Sequence, residues 1–236
     1  MHSAIRTLLP LSALLVFAGC PRPARPPEPT PPVTPAPTAP ADLSGAAVYT
    51  VNPQTSEVHI LVYRGGTLSK LGHNHVMTSR TLSGRVWVHP TFERSGFEVS
   101  FPVRELIVDD REARRAAGGD FPPDIPQKDK DGTRTNMLRE EVLDGERYPT
   151  VSLRAARVAG STEAPDVSAR ITIKDASREV AVPARIVTEG GRLTASGEFV
   201  IRQSDFGMKP FSIALGALEV KDELTIRYKI VADRKN

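Results

Sequence analysis

The strongest constraint in this chain is a two-residue rhythm. Phe97-Glu98-Val99-Ser100-Phe101-Pro102-Val103 alternates apolar with polar or small side chains, as do Val167 to Ile173 and Leu224 to Ile230. Successive side chains of an extended segment point to opposite faces, so each run reads as a strand with one face turned inward. Less regular runs cover Glu57 to Tyr63, Leu82 to His89, Val151 to Val158, Glu179 to Val187 and Leu193 to Arg202. With Val48 to Val51 they amount to about nine strands, separated by turn signals such as Arg64-Gly65-Gly66, Lys174-Asp175 and Glu189-Gly190-Gly191. Many short antiparallel strands leave exposed edges, and closure into a barrel is the general way to remove them. An all-β antiparallel barrel is therefore expected over residues 48–236.

One stretch breaks the rhythm. Residues 104–147 hold Asp109 to Ala117, a proline-containing turn region, and then Asn136 to Leu143, which together read as one helical insertion: short helix, loop, short helix. Thr135 or Asn136 is the expected cap of the second helix. Lys128-Asp129-Lys130-Asp131-Gly132 superficially fits a calcium loop. The flanking positions where carboxylates are required hold Gln127 and Leu138, so it reads as a solvated turn.

The chain begins with a different kind of segment. Leu8 to Ala18 is an apolar run of 11 residues ending at Gly19-Cys20. It is too short to span a bilayer and has the length of a secretory h-region, so residues 1–19 are read as a signal peptide. Phe17-Ala18-Gly19-Cys20 resembles a bacterial lipobox, which implies acylation of Cys20, the only cysteine present. Several acyl chains exceed the one-chain threshold for lasting membrane attachment. Residues 20–47 then form a spacer, with ten of the 21 prolines falling in residues 21–40. A segment so poor in large apolar side chains cannot bury enough surface to fold. The expected location is the bacterial cell envelope, lipid-anchored, with Pro21 favouring the outer membrane.

Composition excludes some functions. Thirty-one Lys and Arg against 28 Asp and Glu leave a net charge of +3, too near balance for the concentrated basic face that nucleic acid requires. No nucleophile elbow, phosphate loop or H-E-x-x-H motif is present, so no enzyme is expected and no cofactor is called for. The sharpest polar signal is Gly72-His73-Asn74-His75. Two histidines one residue apart in an extended segment face the same side, where they serve as hydrogen-bonding groups at a barrel end or as part of a metal site that His59 and His89 could complete. The first reading is adopted, with no metal expected.

Taken in order, several pieces resemble the YceI-like family of bacterial polyisoprenoid-binding proteins. They are Tyr49-Thr50-Val51-Asn52-Pro53 leading into Ser56 to Ile60, the Ser83 to Val86 strand, Asn136-Met137-Leu138 through Tyr148 to Leu153, Leu193 to Phe199, and Ile201-Arg202-Gln203-Ser204-Asp205-Phe206-Gly207-Met208. The resemblance implies a lipocalin-like antiparallel barrel around an elongated apolar cavity, holding a long isoprenoid such as a quinone tail. On that reading Phe97, Val99, Phe101, Val103, Leu193, Phe199, Ile201 and Phe206 are the expected wall. His73, His75 and Arg202 are the expected polar entrance, with Asp205 orienting Arg202. Gly207 is expected at a backbone conformation that a side chain hinders.

The function expected is thus an envelope lipoprotein that binds, sequesters or transports a polyisoprenoid or similar amphiphile, its partners being that lipid and, through Cys20, a membrane. Two rivals differ in class: a metal-binding envelope protein using His73 and His75, and a structural or adaptor barrel with no ligand.

Overall fold

The computed structural model describes residues 43–234. The signal peptide, Cys20 and the proline-rich residues 21–40 lie outside the described residues, so those expectations rest on sequence.

The rhythm becomes one antiparallel sheet. Its spine is β13 (Leu218–Arg234), paired along one edge with β11 (Arg192–Arg202) and along the other first with β2 (Glu57–Gly65) and then with β1 (Ala47–Val51). From β1 the ladder continues through β4 (Ser83–Val88), β5 (Gly96–Pro102), β7 (Thr150–Gly160) and β8 (Pro165–Ile173) to β9 (Ala176–Ala181). A second arm leads from β2 to β3 (His75–Ser79) and the two-residue β6 (Ile107–Val108). On the far edge of β11 lies β10 (Arg185–Glu189), while β12 (Ser212–Ile213) pairs with the start of β13.

The sheet curls into a barrel-like wall but its ladder does not close, which corrects the expectation of full closure. Glu179 to Val187 is not one strand. It breaks around Pro183, whose missing N–H cannot join a ladder. Across this break isolated backbone bonds join the wall, from Val182 N–H to the Val167 carbonyl (2.9 Å) and from Ile186 N–H to the Glu163 carbonyl (2.7 Å). The Tyr228 hydroxyl donates to the Pro183 carbonyl at 2.8 Å. Opposite Tyr228, β11 carries Gly197, where a Cβ would lie 2.0 Å from the same carbonyl. Only glycine lets the break pack this closely.

The insertion holds two helices, α1 (Arg111–Ala117) and α2 (Gln127–Met137). The Asp110 side chain caps α1 by accepting from Ala113 N–H at 2.9 Å, an interaction that contributes about 1 kcal/mol. The second helix lies nine residues earlier than expected and begins after Pro126, not at Thr135 or Asn136. It absorbs Lys128 to Gly132, which is therefore helix and not turn. Its polar sequence offers no apolar stripe, and its start is marked only by Pro126 and by Asp129 in the first turn. Residues 138–147 are turns.

Strand directions define two ends. At one, β2, β5, β8 and β11 finish, β3, β4, β7 and β13 begin, and the insertion and the segment 203–217 gather there. At the other, β1 enters. Gly207, at φ 68°, occupies the left-handed region as expected.

Candidate ligand-binding site

The wall encloses a cavity of about 330 Å³. Alternate residues of the long strands line it: Val58, Ile60 and Val62 of β2, Phe97, Val99 and Phe101 of β5, Leu193, Ala195, Phe199 and Ile201 of β11, and Leu224, Ile226 and Ile230 of β13. The inward set is fixed by strand register, because a one-residue slip would turn every one of these side chains to solvent. Phe199 and Tyr228 meet edge to face with ring centroids 6.2 Å apart. Burial raises the Tyr228 phenol to about 12.

Five lining residues carry polar groups, and four of them, His75, Thr133, Asn136 and Gln203, stand at the end where the helical insertion lies. The cavity is thus apolar along its length with a polar cluster at one end. Of the residues expected from sequence, Phe97, Val99, Phe101, Leu193, Phe199, Ile201 and His75 line it. Val103 and Phe206 are buried at 1 % exposure in the packing around the cavity and do not line it. Arg202 points to solvent and faces Glu223 at 3.8 Å instead of Asp205. His73 is half-exposed and meets Asp129 of α2 at 3.4 Å.

The two histidines therefore do different things. Their rings lie 6.3 Å apart, but only His75 reaches the cavity, and behind it stands a buried network that sequence reasoning missed. His75 Nδ1 bonds Asp109 Oδ2 at 2.7 Å, Val76 N–H donates to Asp109 Oδ1 at 2.9 Å, and Arg114 Nη1 donates to that oxygen at 2.5 Å. Arg114 also donates to the carbonyls of Asn74 (2.7 Å) and Pro122 (2.5 Å) and lies over the Phe121 ring. Asp109 and Arg114 are both fully buried. Burial by itself would raise the Asp109 carboxyl. The hydrogen bond and charge of His75, the Val76 amide and the Arg114 guanidinium outweigh it and hold the carboxyl below its ordinary value.

An ionised Asp109 accepts only, so the imidazole presents Nδ1–H to it, and Nε2 is the ring atom left for a ligand. In a neutral ring that atom is a hydrogen-bond acceptor. One signal in the sequence pointed here: a helix needs one capping carboxylate, Asp110 supplies it, and Asp109 is surplus.

His59 and His89 are engaged elsewhere, His59 with Thr78 Oγ1 at 3.1 Å and His89 with Thr91. Among the described residues no group of three or more His, Cys, Asp or Glu is placed to hold a metal ion.

Comparison with known proteins adds three findings. The model of the YceI-like domain matches residues 49–232. The crystal structure of Burkholderia cenocepacia BcnA is similar in fold, with a TM-score of 0.56 at 16% identity, covering 77% of this chain and 99% of that one. The Campylobacter jejuni YCEI protein aligns over 66% of this chain and 82% of its own at 14% identity, with a TM-score of 0.47. Among curated proteins nothing matches the sequence.

Proposed function

The chain belongs to the YceI-like family, and we propose that its cavity binds the hydrocarbon part of a polyisoprenoid or similar amphiphile, with His75 engaging the head group. The observation that carries this reading is the apolar hollow itself, with four of its five polar lining residues gathered at one end. A packed scaffold leaves no such space, since interiors normally fill to crystal-like density.

Volume decides how much chain fits. An engineered cavity of about 150 Å³ takes up benzene, so 330 Å³ accommodates roughly a dozen carbons on that scale, close to three isoprene units. At about 0.8 kcal/mol per methylene, such a segment gains about 10 kcal/mol before ordering costs. A longer tail extends beyond the volume now open. His75 Nε2 accepts from a hydroxyl-bearing head, while Asp109 and Arg114 fix the ring. In this reading the protein is no enzyme: the wall supplies affinity and the polar end supplies orientation.

The sequence supports placing this binder in the cell envelope, with residues 1–19 removed, Cys20 acylated, residues 20–47 as spacer, and the outer membrane as the anchoring surface. Membrane proximity suits a ligand too apolar to travel through water.

The test is organic extraction of the purified protein followed by mass spectrometry, paired with uptake of farnesol and a longer polyprenol. Bound isoprenoid, or saturable uptake that Ala195→Phe abolishes, is the expected result. A chain that is empty as purified and takes up neither alcohol overturns the proposal. His75→Phe should leave uptake of a hydrocarbon intact and weaken that of the alcohol by about tenfold, the worth of one lost hydrogen bond to a buried partner.

A further inference from the structure

Large apolar side chains exposed singly are ordinary on soluble proteins. Here they are not scattered. Of the seven found exposed among the described residues, Leu68, Leu71, Ile213 and Leu215 stand on two neighbouring loops. The loops are joined directly, since Leu68 N–H donates to the Ala217 carbonyl at 2.6 Å. The second loop is a hairpin, with Ser212 opposite Glu219 and Ile213 opposite Leu218.

At the hairpin tip Ala214, Leu215 and Gly216 all have positive φ, at 49°, 56° and 87°. For a residue with a Cβ this region costs about 1 kcal/mol or more. Leu215 accepts that cost and gains no burial, being 109 % exposed. Neither backbone preference nor core packing accounts for a leucine there.

Charge narrows what could cover this tip. From Gly66 to Asn74 and from Gly207 to Leu218 the sequence contains Lys70, Lys209 and His73 but no carboxylate. Both lysines are exposed. An aliphatic tip flanked by Lys70 and Lys209, with the Glu219 carboxylate set back at the hairpin base beside Gly65 and Gly216 and Asp129 behind His73, matches a surface that is anionic outside and hydrocarbon beneath. The tip also stands at the polar end of the cavity, and Phe211 of the same loop lines that cavity.

We propose that the paired loops 66–72 and 209–218 form a tip that dips into an anionic phospholipid surface. The assignment rests on exposed residues and stands whether or not the cavity is occupied. Leu71, Ile213 and Leu215 enter the acyl boundary, while Lys70 and Lys209 remain among the head groups. Anchoring through Cys20 is compatible with this geometry although β1 enters at the opposite end. The 23 residues from 20 to 42 reach at most ~80 Å, and the 17 residues of β13 span only ~56 Å.

The test uses the full chain carrying Cys20→Ser, so that no acyl chain contributes, and vesicles mixing zwitterionic with anionic phospholipid. Leu215→Trp provides a reporter, and acyl chains brominated near the head group should quench the added fluorescence about twofold, a shallow insertion depth. Leu71→Asp with Leu215→Asp should lower partitioning by at least about tenfold. Lys70→Glu with Lys209→Glu should remove the preference for anionic lipid. Val187→Asp with Val200→Asp, two exposed positions on the sheet, should change nothing. Residues 1–19 are common to all variants, so differences between them report the tip. No quenching on vesicle-bound chain, or an equal loss from the sheet pair, overturns the proposal. So does capture of the tip by a protein while vesicles are ignored. Extraction and uptake measurements read the cavity separately, so the tip and the cavity can fail independently.

Discussion

The strands β2 and β3 bury both of their faces, and the two faces are built on opposite principles. On the inner side Ile60, Val62 and Met77 look onto a hollow. On the outer side Leu61, Tyr63 and Val76 pack against Ala113 and Phe121 beneath α1, with Tyr63 and Phe121 rings edge to face at 5.4 Å. The outer side also contains the Asp109–Arg114 ion pair, and His75 connects the two. Both sides are shielded from water, but the tolerance to change differs. The hollow already lacks partner atoms along its wall, so removing one apolar group costs less there, whereas the packed side loses contacts or leaves a charge alone.

The largest effect should come from breaking the ion pair. Asp109→Ala leaves Arg114 buried without its carboxylate and should destabilise by about 3–5 kcal/mol, read from urea unfolding at neutral pH. Because the Asp109 carboxyl is held below its ordinary value, its contribution is fully present above the unfolded carboxylate range, about pH 4, and is lost as pH falls through the lower folded value. Asp109→Asn should therefore flatten the acid limb of the stability curve. An unchanged acid limb would remove Asp109 from the account.

Next in size is the contrast between two phenylalanines. Phe121→Ala, on the packed side, should cost about 3–5 kcal/mol. Phe199→Ala, on the hollow side, should cost less, at or below the low end of that range, about 3 kcal/mol, and equal losses would mean that the hollow is filled in solution. The smallest effect concerns the break at Pro183. Tyr228→Phe removes one hydrogen bond and should cost about 1 kcal/mol. With its folded value raised to about 12, the Tyr228 phenol contributes stability that is present below about pH 10 and declines as pH rises toward the folded value. Alkaline ultraviolet titration should show a late inflection that is absent from Tyr228→Phe.

The same two faces explain what could be read from sequence. Where one side of a strand meets the cavity and the other meets water, alternation survives, which is why Phe97, Val99 and Phe101 were legible as an inward row. In β3, residues Val76, Met77, Thr78 and Ser79 are all buried, so no alternation marks the strand. Double coverage erases the period-two signal, and β3 goes unmarked in the sequence. α2 was misplaced for the converse reason: it is too polar to show a stripe. Arg202 and His73 were expected at the entrance because their chemistry suits one, but parity and the position of α2 set them on the outside.

Local sequence determined the strands that face water on one side, the glycine at 207 and the inward parity of β5 and β11, because these follow from steric rules acting over two or three residues. Tertiary structure decided three other things: that the wall stays open at Pro183, that the space inside is left unfilled, and that Asp109 and Arg114 meet behind His75. Each depends on groups far apart in the chain being brought within a few ångströms, and no local pattern encodes that distance.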